Sequence, residues 1–532
     1  MNYLQVHPAH IMRKLLIGSL LLIFHSLLNA KDYEITSFGA KSGGIDICTV
    51  AIQSAIDKAS KEGGGKVIVP KGIFLTGTIF LKNNVELHVQ KDAVLLGSTL
   101  VDDYQKVNGD YALLIATDQQ NIAISGEGTI DGQGGKLALA IDSLHHAGIM
   151  VDKGYNYRRM RPGSRPNLVK MNRCQHVKIT GIRALNAASW VLRLNKCEQL
   201  EIDRVQVESD VFWNNDGIDI EDCKKVRIIN SYINAADDAV CLKSNDPNSY
   251  CDEVYIANNT IRSSASAIKF GTASFGGFKN VTIEDITIYD TFRSALAFEA
   301  VDGGAIENIY VTNVFAVNTG NAVFIKLGHR NVNGLVGTIK NITIKGLHVH
   351  IPFGAPDLQY NIRGPELPFF HNPFPASITG LPGHLVENVT LEDVSISYPG
   401  RANEAYAHVP LWRLDSVPES ASQYPEFHMF GELPSWGFYV RHVDGLALKN
   451  VRISVRDNDF RPAYVFDDVK DLSLEGGSIT SLGDHTAVVL KDTQSVQIKN
   501  VKVDGNDLEF VSSYGENAEV SGVKLLKKTS ID

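Results

Sequence analysis

Between Val85 and Val496 one short pattern of apolar and polar positions recurs. It is a polar residue, then Val, Ile or Leu, then any residue, then Ile, Leu or Val, usually leading into Asn or Asp followed by Val or Ile. The first apolar residue falls at Val85, Ile122, Val177, Leu200, Val226, Val254, Val281, Ile309, Ile342, Val389, Leu446, Leu472 and Val496. Through the middle the spacings are 23, 26, 28, 27 and 28 residues. Period-two alternation makes each copy a strand with one apolar face. A strand repeating at this interval predicts a parallel β-solenoid, in which each coil pairs with the next. One coil cannot bury its apolar face alone, but a stack can. Propeller blades are longer and four-stranded, and the Leu/Asn consensus of leucine-rich repeats is absent. Upstream, Ala51, Ile52, Ala55, Ile56 and Ala59 share a helical face, which predicts a helix from Thr49 to Gly63. Gly63-Gly64-Gly65 ends it, and it caps the end of the stack.

Three intervals are too long for one coil: 55 residues before Val177, 47 before Val389 and 57 before Leu446. They place insertions near 142–166, 352–382 and 401–436. The first is rich in Tyr and Arg, the second in Pro and Phe, the third in Trp, Tyr and Phe. Aromatic content argues against disorder, so these segments either wall a cleft or pack on the coil flank.

A second strand aligns within the coils. Its copies begin at Trp190, Asp216, Asp238, Ser266, Ser294 and Asn321. Third and fifth residues are mostly apolar and face inward; first, fourth and sixth face out. In this register Asp216 stands beside Asp238, with Asp237 one residue back and displaced to one side. Asp219 and Lys269 share one outward column. Three neighbouring acids are costly unless they bind a cation or handle protons.

Composition narrows the field. The chain has 532 residues, an apolar fraction of 44% and a net charge of −9, which gives no reason to expect a nucleic acid partner. Arg13-Lys14 precede an apolar run from Leu15 to Leu28, and Asn29-Ala30 offer a cleavage site, so residues 1–30 read as an export signal. Cys174, Cys197 and Cys223 each occupy the same repeat position, which suits stacked small core residues better than a bridge framework.

The motifs Asn214-Asn215-Asp216-Gly217-Ile218-Asp219 and Asp237-Asp238-Ala239-Val240-Cys241-Leu242-Lys243-Ser244 resemble glycoside hydrolase family 28, the polygalacturonases and their relatives. So do Thr36–Ala40, Gly63–Pro70, Leu75–Ile79, Gly128–Gly134 and Ala188-Ser189-Trp190. The resemblance implies an all-β fold, a single-stranded right-handed parallel β-helix, over residues 31–532. It implies inverting hydrolysis of α-linked galacturonate-containing pectin with no metal or other cofactor. Carried onto matching positions, Asp237 is the expected general acid, and Asp216 and Asp238 the pair that activates water. An inverting acid and base stand about 6.5–9.5 Å apart, and like charges nearby favour a protonated acid. The expected substrate contacts are Lys269, Asp219, Lys326, Arg330 and Trp190.

Two departures from the family stand out. Where it carries Gly-His-Gly, this chain has Ala265-Ser266-Ala267, and where it carries Arg-Ile-Lys, this chain has Ala297-Phe298-Glu299. The lost histidine orders the carboxylates; the lost cations hold a substrate carboxylate, which Glu299 would repel. Other basic residues lie near: His329, and Arg158, Arg159, Arg161 and Arg165 of the first insertion. Arg441-His442 reads as a surface pair. The expectation is therefore an exported, periplasmic or extracellular, monomeric hydrolase, free of the membrane once the signal is removed. Its substrate would be a pectic poly- or oligosaccharide of rhamnogalacturonan type, with a neutral sugar on the leaving side and attack from a chain end. Two rivals stay open: a β-helix polysaccharide lyase using Lys269 as base, and a solenoid that only binds glycans.

Overall fold

The computed structural model describes residues 31–360, 374–404, 411–481, 486–515 and 520–527. The proposed export segment lies outside them, as do Pro365, Pro368, Phe369, Phe370 and Pro373 of the second insertion and residues 405–410 of the third. No helix among the described residues is long and apolar enough to cross a membrane.

The chain winds into a right-handed parallel β-helix, the hand that parallel crossovers take. The recurring apolar column is one continuous ladder. Ile122 pairs with Val177, Val177 with Leu200, and the register runs on through Val226, Val254, Val281, Ile309, Ile342, Val389, Leu446, Leu472 and Val496. All of these side chains are buried. The Asn before many of them has a physical reason. Asn280, Asn308, Asn341 and Asn388 adopt φ between +53° and +59°, a left-handed turn that Asn tolerates. Their amides stack, each donating to the carbonyl oxygen of the one a coil earlier at 3.1–3.2 Å from Asn308 onward.

The expected capping helix spans Thr49–Lys61, two residues short of Gly63, and buries Ile52, Ala55, Ile56 and Ala59 in the core. Gly64, at φ +128°, passes so close to the first coil that a Cβ would meet the Asn84 carbonyl oxygen at 2.6 Å. A second helix, Gly134–His146, opens the first insertion and was not anticipated. Its Leu137, Ala138 and Ile141 are buried. All six cysteines are buried and unbridged, and the Cys197 N–H points at the Cys223 sulfur at 3.2 Å, as expected for stacked core residues.

The insertions take different places. The second lies on the coil flank: the Tyr360 hydroxyl donates to Asn234 at 2.6 Å, and Arg262 stacks on its ring. The third covers the outer face of the sheet built from the second strand. There Leu414, Val417, Phe427, Phe430 and Leu433 form a separate apolar cluster with Ala297, Phe324, Tyr439, Val465 and Val489. Fourth-position residues of the later coils are therefore apolar because they face this cover rather than water. Trp436 and Phe438–Val440 belong to the coils.

Phe298 is fully buried in the stack, and its ring meets Phe270 edge-on at 4.8 Å. Phe298→Ala is expected to cost about 3–5 kcal/mol, read as a lowered denaturation midpoint. A loss below about 1 kcal/mol would contradict close packing between these coils.

Candidate active site

The outward column is in the predicted register. The Gly217 N–H donates to the Asp238 carbonyl at 2.9 Å, Ala239 N–H to Ser266, and Ala267 N–H to Ser294, both at 3.0 Å. Below them Ile218, Ile220, Val240, Leu242, Ile268 and Phe270 point into the core. Gly217 is needed because a Cβ there would lie 2.5 Å from the Ala239 carbonyl oxygen. The two asparagines before it do separate work. Asn215 donates to the Ala187 and Ser189 carbonyls at 2.8 and 2.9 Å and holds the turn. Asn214 donates to Asp237 Oδ2 at 3.2 Å.

Asp216, Asp237 and Asp238 each bring an oxygen within 4.8 Å of the other two. Asp216 and Asp238 are buried, and Asp237 is partly exposed. Two ammoniums lie against this group. Lys243 Nζ is 3.1 Å from Asp216 Oδ2, also donates to Asp219 Oδ1, and sits over the Trp190 ring at 4.1 Å. Lys269 Nζ is 3.3 Å from Asp238 Oδ2 and 3.8 Å from Glu299 Oε2. These supply charge that three bare carboxylates would otherwise draw from a cation.

The carboxylates are not equivalent. Burial pushes Asp216 well above the ordinary range, with Lys243 opposing and Asp219 next reinforcing. Burial likewise raises Asp219 to about 7 against Lys243. Asp238 goes the other way: burial opposes its ionisation, but Lys269, Arg293, Lys243 and the Ser266 N–H together outweigh it. That N–H donates to Asp238 Oδ1 at 3.0 Å, so a backbone amide orients this carboxylate from the coil where the family has its histidine.

Several expected contacts need correcting. Lys269 is 1% exposed in its side chain, Asp219 and Lys326 are fully buried, and none can touch a sugar directly. Lys326 donates to the Glu419 carbonyl at 2.9 Å under the third insertion. Arg330 forms a two-pronged pair with Asp302 at 2.9 and 2.5 Å, and His329 meets the Gly334 carbonyl. Trp190 stays at the site, its ring shared by Lys243 and Arg193. Arg441 and His442 are not a surface pair. They sit between Glu419, Asp467 and Asp468 at 2.6–3.1 Å. Glu299 does not present a negative charge to the groove. It is buried, and burial pushes it to about 8 with Lys269 opposing, so the proton resides on Glu299 while Lys269 answers Asp238.

Sequence reasoning missed four residues here. Lys243 was visible in the motif, at an outward position of its strand. Arg293 lies one residue before Ser294, and its guanidinium meets Glu426 at 2.5 Å. Tyr424 stands over Lys269, with its ring centre 5.3 Å from the ammonium. Tyr424 and Glu426 come from the third insertion, 155 residues from Lys269 in the case of Tyr424, and no periodicity connects them. A separate concavity lined by Lys178, Glu201 and Arg227 holds none of the three aspartates.

Two outcomes follow. Glu299 is raised from 4.5 to about 8, so the folded state holds a proton that the unfolded chain has lost. Stability from this group is full below pH 4.5 and falls as pH rises toward 8. Glu299→Gln should flatten that part of the melting-temperature profile; an unchanged slope would refute the assignment. Lys243→Met removes the ammonium under Asp216, and should move the acidic limb of kcat/KM to higher pH. A limb that stays in place would show that Asp216 need not ionise.

Residues 60–350 match the family described as "Glycosyl hydrolases family 28". A "Probable polygalacturonase" from Vitis vinifera is 26% identical over 337 residues, covering 60% of this chain and 60% of that protein. An exo-poly-alpha-D-galacturonosidase from Dickeya chrysanthemi is 25% identical over 379 residues, covering 59% and 62%. The matches thus take in about six-tenths of each relative's length. In structure, a hyperthermoactive exopolygalacturonase from Thermotoga maritima superposes with a TM-score of 0.56 at 24% identity, covering 69% of this chain and 87% of that one. With the carboxylate motifs falling inside the matched segment, the chain belongs to family 28 of the glycosyl hydrolases.

Proposed function

We propose that this protein is an exported hydrolase of α-linked, galacturonic-acid-containing pectic chains. It works by inverting acid–base hydrolysis, from a chain end, on linkages of the rhamnogalacturonan type. The observation that carries the reading is the division of labour among the three aspartates. Asp237 is the partly exposed member, held by Asn214 and by the Asp238 N–H at 3.0 Å, which supports its role as the group that protonates the leaving oxygen. Asp238 is kept ionised and can take a proton from water, while Asp216 and Lys243 orient that water beside it.

The finer reading rests on the third insertion. Tyr424 and Glu426 lie on Lys269 and Arg293, which supports a groove closed on that side and attack from an end. Lys269, Arg293, Lys326 and Arg330 are all engaged by protein groups. Among the described residues that leaves no open cation on that side for a uronate, which favours a neutral sugar such as rhamnose. Burial of Lys269 also disfavours the lyase reading, because its ammonium cannot reach a substrate proton.

Asp237→Asn is expected to lower turnover by about 10²-fold or more while sparing oligosaccharide binding; wild-type turnover in this variant would exclude the mechanism. Supplied separately, rhamnogalacturonan oligosaccharides should be cut faster than polygalacturonate. Monomer should be released from the first time points, and NMR should show the fresh product with inverted anomeric configuration. Ultraviolet-absorbing product lost on adding chelator would instead indicate a lyase.

A further inference from the structure

The two sides of the carboxylate group differ in one respect. On the Glu299 side each cation meets an acid or a carbonyl. On the other side Arg161 and Arg165, both from the first insertion, converge on the side-chain oxygen of Asn214. Among the described residues neither has a carboxylate within 4.0 Å. Arg165 is buried, and its donors are taken by the Pro162, Ala188 and Trp213 carbonyls and by Asn214. Arg161 is only partly buried, and Asn214 takes one of its donors. The rest of that fork has no protein acceptor among the described residues. Asn214 in turn donates to Asp237 at 3.2 Å. A guanidinium with open donors thus stands one amide away from the expected general acid.

Burial makes this pair costly to keep charged, and Asp237 and Asp216 offset that cost only in part, since both guanidiniums stay below their ordinary range. Burial pulls Arg165 down to about 9, and Arg161 adds to that by repulsion. Burial also lowers Arg161, with Arg159 next and Asp237 and Asp216 opposing. A planar carboxylate fits the open fork in two-pronged fashion, which an ammonium could not offer.

We propose that Arg161, backed by Arg165, is the docking point for a sugar carboxylate, on the side of the aspartates away from Glu299. This inference rests on the pectic-hydrolase reading and deepens it. The uronate contact has moved from the strand position where relatives carry Arg-Ile-Lys to an insertion on the opposite side. The site would then take a uronate on the Arg161 side and a neutral residue on the Tyr424 side, matching a chain in which the two alternate.

The test measures binding, so it does not depend on turnover. In an Asp237→Asn protein, calorimetry would compare a rhamnogalacturonan oligosaccharide with its carboxyl-reduced form. Binding should favour the acid form. Adding Arg161→Gln should cut that preference about ten- to hundredfold, and Arg161→Lys should give a smaller loss. Arg158→Gln, an exposed charge on the same loop, should change it less than about twofold. The proposal is overturned if Arg161→Gln weakens both forms equally, if Arg158→Gln has the same effect, or if neither form binds. Should Arg161→Gln not fold, an Arg161→Lys protein with undiminished preference overturns it alone. If Asp237→Asn retains wild-type turnover, the hydrolase reading falls. If turnover is lost while acid preference survives Arg161→Gln, only the present assignment does.

Discussion

Charge taken out of water must be matched within a few ångströms, and that constraint shapes the outer face of one sheet in this β-helix. Asp216, Asp219, Asp238 and Glu299 are all buried, and Lys243 and Lys269 are set between them. Each ammonium has two acidic neighbours, and the uneven sharing separates the acids. Asp238 is held ionised, and Glu299 keeps its proton. A group of carboxylic acids thereby comes to differ in charge without any change in chemical type.

The coils provide this arrangement cheaply because parallel pairing repeats one register. Placing Asp216 against Asp238 needs only that Ile218 pair with Val240, and the core fixes that by requiring both to face inward. What the coils cannot provide is anything irregular. Arg161 and Arg165 come from an insertion on one side of the carboxylates, and Tyr424 and Glu426 from another on the opposite side. The regular part of the molecule carries the proposed acid–base groups, and the insertions carry the groups that meet the flanking sugars under the proposed reading.

The third insertion also explains the chain beyond the family match. From Glu299 onward the outward columns turn apolar or are engaged by neighbouring protein groups, ending in the ion-paired Arg441, Asp467 and Lys491. Asp415 and Glu419 of the insertion meet Lys491, Arg441 and His442 at 3.0–3.1 Å. These pairs and the Phe427–Phe430 cluster hold the insertion over the sheet, and the coils beneath serve as its platform.

How much was legible from residues alone follows the same division. The apolar ladder from Ile122 to Val496, the capping helix, the register of Asp216 with Asp238 and the stacked cysteines were all readable, because period-two alternation and a near-constant coil length are local signals. Helix Gly134–His146 was missed because its short apolar face sits between two strands and resembles loop. Lys269, Asp219 and Lys326 were placed correctly on outward positions yet taken for sugar contacts, since facing away from a coil core does not mean facing water once an insertion lies on top. Tyr424 and Glu426 left no trace in any repeat, and Arg293, one residue before Ser294, was passed over because its partner Glu426 lies outside the coils. The amino-acid order alone thus determined the winding and the line of aspartates, through contacts that recur once per coil. Which cations stay open to a ligand was decided only by folding, because that depends on side chains meeting once, across long stretches of chain, with no period to announce them.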